Sequence, residues 1–213
     1  MSNIYPSATR ITADGEQVYR VKSNHRYRNI RAADVGNGLF LIDTPVRRVD
    51  IADIRVSGAY RMIENRARSG EDASCIGLNV TNVRAMGVRR SLGRLRYASR
   101  GIRFRDVQAE GVLQTGARDL PVGIALDDEA SEIVFERCIM RGFRWKRKDS
   151  QYWNGDGFST ERGNRKIRFS QCAAWDNSDA GFDLKSADTD LDDCLPHATL
   201  ETTDYGPTSP RLG

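Results

Sequence analysis

The chain has 213 residues, 39% hydrophobic and 29% charged, which suits one soluble folded domain and excludes a disordered chain. No apolar run approaches a membrane span, and the start Met1-Ser2-Asn3-Ile4-Tyr5-Pro6 lacks a basic stretch followed by an apolar one, so neither a membrane partner nor a visible signal peptide is expected. The net charge of +4 is modest, yet only Lys22, Lys146, Lys148, Lys166 and Lys185 among the 33 basic residues are lysine; so much arginine fits either an anionic partner or a genome that favours arginine codons.

In chain order, residues 1–24 come first and are expected to cap one end of the fold. A short motif then recurs seven times: apolar, two polar or small residues, apolar or Cys, any residue, apolar or small. Its copies start at Ile30, Ile51, Val80, Phe104, Phe135, Phe169 and Leu191, at unequal intervals. A common register with unequal spacing predicts a fixed coil with loops inserted at its corners. Seven residues after the first six starts stand Asn37, Gly58, Gly87, Gly111, Gly142 and Asp176, types that reach positive φ at least cost, so one left-handed corner per coil is expected there. Short runs beginning Gly38, Gly123, Gly157 and Gly181 read as further strands with alternate residues inward.

These features predict an all-β fold, a right-handed parallel β-helix (a single-stranded β-solenoid) of about seven coils, forming one domain over 1–213. A β-sandwich is the alternative. No helical period of 3.6 is present. The motif decays after Cys194, so 195–213 is expected as an irregular tail, and an open solenoid end would expose strand edges to self-association. Cys138, Cys172 and Cys194 share one motif position and are expected to stack as a buried column of free thiols. No CxxC or Cys/His cluster exists, and His25 and His197 sit in no motif, which argues against zinc and histidine catalysis.

The densest polar region spans 144–185. It opens with the basic, aromatic-bearing loop Arg144-Trp145-Lys146-Arg147-Lys148 and continues through Tyr152-Trp153-Asn154-Gly155-Asp156-Gly157-Phe158. One coil later comes Trp175-Asp176-Asn177-Ser178-Asp179-Ala180-Gly181-Phe182-Asp183-Leu184-Lys185. Aligning the Gly-Phe pairs sets Asp156 beside Asp179 and Asp183, stacks Ser159 with Asp183 in an outward column, and puts Glu161 with Lys185 in the next. Three carboxylates from two coils suit Ca²⁺, although Asp and Asn also serve as plain turn formers.

Residues 154–158 and 175–184 resemble the calcium-binding region of family 9 pectate lyases, which are right-handed β-helix enzymes. The resemblance implies Asp156, Asp179 and Asp183 as Ca²⁺ ligands, with Ala180 standing where a further aspartate is usual. It also implies β-elimination on a uronate-containing acidic polysaccharide and an extracellular or periplasmic location. The family's base is a lysine beyond this region; here no lysine follows Lys185, which becomes the substitute base. Arg144, Lys146, Arg147, Lys148 and Glu161 would line the substrate site, and Trp145, Tyr152 and Trp153 would stack on sugar rings. Two other readings stay open. One is a glycosidase of the polygalacturonase type with Asp156 and Asp179 as its acid–base pair; the other is a non-catalytic carbohydrate-binding or structural β-helix. A nucleic-acid partner is not expected, because the arginines are interspersed with acidic residues and form no basic stripe in the sequence.

Overall fold

A computed structural model describes residues 18–67, 71–115, 120–146, 155–196 and 211–212. In chain order the strands are β1 (Tyr19–Arg20), β2 (His25–Ile42), β3 (Val46–Asn65), β4 (Cys75–Leu95), β5 (Arg100–Gly111), β6 (Val122–Leu126), β7 (Ser131–Glu136) and β8 (Ile139–Arg141). There follow β9 (Asp156–Thr160), β10 (Arg165–Ser170), β11 (Ala173–Trp175), β12 (Phe182–Leu184), β13 (Ala187–Asp192), β14 (Leu195–Pro196) and β15 (Arg211–Leu212). No described residue is helical, and no helix is long and apolar enough to cross a membrane. The strands form one 15-stranded sheet whose path runs β13-β10-β7-β5-β4-β6-β9-β12-β15, and the strand pairs are parallel. The molecule is therefore all-β and solenoid-like: each turn of the chain lies in register on the one before.

The local rule is a bend at every fifth residue. In β3, Val49 and Ile51 point inward, Asp53 bends the chain with φ 59°, and Ile54 and Val56 point inward again before Gly58 bends it with φ 76°. Arg48 precedes them with φ 54°. The next turn repeats this at Gly77, Asn82 and Gly87. Five residues per face let two side chains enter the core while the third corner residue takes the left-handed conformation that turns the strand.

The motifs stack as the repeat predicts, with one correction. Ile51, Val80, Phe104, Phe135, Phe169 and Leu191 form a single column, but the residue paired with Ile51 is Tyr27, and Ile30 pairs with Ile54. Ala33 fits the motif by size while pointing out; the inward residue is its neighbour Ala32. The left-handed corner expected at Asn37 is accordingly at Asp34, φ 50°. Gly58, Gly87, Gly142 and Asp176 do take positive φ. Gly111 does not: a register shift after Ala85 sets it against Val88, so that turn skips the corner residue. The corner inside the motif itself was not anticipated. It holds Asn29, Asp53, Asn82, Asp106, Arg137, Gln171 and Asp193, all at positive φ.

The core is a ladder of like residues. Phe104, Phe135 and Phe169 stack with centroids 5.1 and 4.8 Å apart and planes within 16°. Phe158 and Phe182 form a second stack at 5.0 Å, set edge-on to the first. Cys138 and Cys172 are buried and Cys194 half-buried; all are free, so the thiol column behaves as small apolar side chains. Burial pushes the Cys138 thiol well above its ordinary range and that of Cys75 up to about 12.

Candidate functional site

The strands β6, β9 and β12 stack in register, Ile124 on Phe158 and Phe158 on Phe182. These residues, with Leu126, Thr160 and Leu184, are buried, so the intervening positions face out. Ser159 pairs with Asp183, and Lys185 reaches Glu161 in the next position, as the alignment of the Gly-Phe pairs predicts.

Asp156 lies at the start of β9 and is only 3% exposed. Its Oδ1 accepts a hydrogen bond from the Ala180 N–H at 3.1 Å, and the Gly155 carbonyl accepts one from the Asp179 N–H at 3.0 Å, which locks the two turns together. Burial, and secondarily the charges of Asp179 and Asp183, push the Asp156 carboxyl well above the usual carboxylate range. Burial therefore favours the neutral form of this carboxyl over the anion.

The flanking glycines exist for close approach. A Cβ on Gly155, at φ 119°, would collide with the Ser178 hydroxyl. One on Gly157 would meet Ala174 Cβ and the Gly181 carbonyl at 2.6 Å each. Asn177 and Ser178 serve the scaffold: Asn177 Oδ1 accepts from the Phe143 N–H, its amide donates to the Met140 carbonyl, and Ser178 Oγ accepts from the Trp145 N–H.

Lys185 is 31% exposed and donates to Asp183 Oδ2 at 2.9 Å and Glu161 Oε1 at 3.3 Å. Partial burial pulls its pKa down, but the two carboxylates outweigh this and hold the ammonium above its ordinary range. It is a fixed cation.

The remaining expected site residues divide. Arg144 sits 3.7 Å from Asp176, and Lys146 is exposed. Trp145 is 2% exposed and offers no ring face to solvent. Arg147, Lys148, Tyr152 and Trp153 lie outside the described residues. Asp156 Oδ1 is taken by a backbone N–H, Asp183 Oδ2 by Lys185, and no group of three or more His, Cys, Asp or Glu side chains among the described residues converges to hold an ion.

One surface was missed in the sequence. Arg31 pairs with Arg55 and Arg55 with Arg84, an arginine column across β2, β3 and β4. Scattered in sequence, they align only because successive turns stack. No protein-family model matches the chain, and neither a curated protein nor a solved structure matches it.

Proposed function

We propose that this chain is a right-handed parallel β-helix of about seven coils that binds a uronate-containing polysaccharide without cleaving it. The observation that carries this reading is the state of Lys185. Held between Asp183 at 2.9 Å and Glu161 at 3.3 Å, its ammonium is already engaged by two carboxylates and is not poised to take a proton from carbon. The stacked outer columns support it too, since strands about 4.8 Å apart offer a linear polymer the same side-chain position again and again. The reading carries an extracellular or periplasmic location with it.

A second reading is a Ca²⁺-dependent lyase acting by β-elimination. What favours it is the crowding of Asp156 by Asp179 and Asp183, a repulsion that a divalent cation would relieve. One experiment separates the two. Polyuronates are incubated with the protein, with Ca²⁺ and then EDTA, while the ultraviolet absorbance of unsaturated uronate is followed, and retention on an immobilised polyuronate is measured in parallel. Retention without any absorbance rise is expected. A rise that EDTA abolishes would establish the lyase and reject the binding-only reading.

A further inference from the structure

The arginine column lies on a different face from β9 and β12. Beyond Arg31, Arg55 and Arg84, the same outward row continues through Gln108, Ile139, Ala173 and Leu195 across β5, β8, β11 and β14. The neighbouring row runs Ala33, Ser57 and Met86, and further along Glu110, Arg141 and Trp175. Between the two rows a groove of about 340 Å³ is lined by Arg84, Met86, Gln108, Glu110, Arg141 and Trp175 among others.

The column's charges are aligned and unbalanced. Some outward arginines meet carboxylates, as Arg26 meets Asp50, Arg105 meets Glu136, and Arg137 meets Asp106 and Glu136, while others such as Arg28, Arg47 and Arg103 form no ion pair among the described residues. What sets Arg31, Arg55 and Arg84 apart is that they stack on one another. Within the groove Arg141 neutralises Glu110 at 2.5 Å and lies over the Trp175 ring, 5.9 Å from its centroid. Arg31, Arg55 and Arg84 are all exposed, and none forms an ion pair among the described residues. Arg55 donates only to neutral oxygens, the carbonyls of Ile54 and Asn82 and the Asn82 side chain. Like charges facing each other on adjacent strands destabilise a sheet. A ladder of them suits a partner that brings one anionic group per turn.

We propose that this face is a docking groove for a linear carboxylate-bearing polysaccharide, its carboxylates on the Arg31–Arg55–Arg84 column and its sugar rings against Met86, Ile139 and Trp175. The guanidinium fork matches a carboxylate, and Met86, 48% exposed, with Trp175 offers apolar area to ring C–H faces. A single aromatic ring in the groove gives no platform for successive bases, and Glu110 adds a negative charge beside it, which favours a glycan over a single-stranded nucleic acid. The assignment rests on the polysaccharide-binding reading and gives it a location apart from Asp156 and Lys185.

The test compares the full chain with the triple variant Arg31→Gln, Arg55→Gln, Arg84→Gln, and separately with Lys185→Gln, by titration calorimetry against polygalacturonate oligomers at low and high salt. All four positions keep a polar side chain, and circular dichroism confirms folding. The triple variant should bind about tenfold more weakly with a reduced salt dependence, and Lys185→Gln should bind as the parent does. Undiminished binding by the triple variant overturns the groove while leaving polysaccharide binding intact. Loss only in Lys185→Gln relocates binding to the β9–β12 face. Failure of the parent to bind overturns both readings. Equal or tighter binding of single-stranded DNA overturns the choice of ligand.

Discussion

Asp156 gives the chain a pH dependence, and the buried pair of Arg61 and Glu64 makes it sensitive to substitution. The raised pKa of Asp156 means that the folded state keeps a proton which the unfolded chain loses near the ordinary aspartate range, about 3.9. Stability contributed by the neutral acid is therefore present at low pH and lost as pH climbs through the folded pKa. Asp156→Asn keeps an acceptor for the Ala180 N–H and removes the titration. Its Tm at neutral pH should exceed the parent's, with the difference shrinking on acidification in a thermal melt series. Added Ca²⁺ should raise the parent's Tm and not the variant's if the lyase reading is right. Glu64, 1% exposed, is held by Arg61, itself 6% exposed, at 2.5 Å; Arg61 also donates to Asn37 and Ser91. Glu64 Oε1 has no partner of its own. Removing the guanidinium strands a buried charge, so Arg61→Ala should lower urea-unfolding stability by about 3–5 kcal/mol. The double change Arg61→Met, Glu64→Gln should cost less than Arg61→Ala alone.

Several strands are too short to stand alone; β8, β11 and β12 each have three residues. They persist because each turn buries its inward pair on the turns either side. Phe135 is the central ring of its stack and also contacts Phe158 edge-on at 5.4 Å. Phe135→Ala should cost about 3–5 kcal/mol and, if unfolding is stepwise, split the chemical denaturation curve at β7. Corners are the other lever. Gln171 occupies the left-handed corner at φ 53°, where the equivalent turns use Asn29, Asp53, Asn82 and Asp106. Gln171→Asn should recover part of the about 1–3 kcal/mol that such a conformation costs a residue with a longer side chain. Equal or lower stability in the same denaturation assay would mean that the Gln171 side chain supplies a compensating contact.

At the scale of the whole molecule, β13, β14 and β15 end the stack among the described residues, and Leu195 and Leu191, on β14 and β13, are 67% and 39% exposed. An apolar edge of this kind is what self-association through the solenoid end would use. Sedimentation velocity should then show concentration-dependent dimers in the parent and monomers in Leu195→Lys; monomers in both would set that idea aside. Much of the architecture was legible in the amino-acid order, because a strand buried by its neighbours repeats its apolar positions whatever the loops do. The motif starts from Ile51 onward, the thiol column and the pairing of Asp183 with Ser159 follow from that alone. The first turn was read late because Ala33, small enough for either side, satisfied the pattern while pointing outward. What tertiary structure alone decided is anything that depends on which residues of distant turns share a column. That covers the burial of Trp145, the capture of Lys185 by Asp183 and Glu161, and the alignment of Arg31, Arg55 and Arg84. Inserted loops make the intervals between turns unequal, so neighbours across the stack have no fixed separation along the chain, and their charges meet only once the coils are laid one upon another.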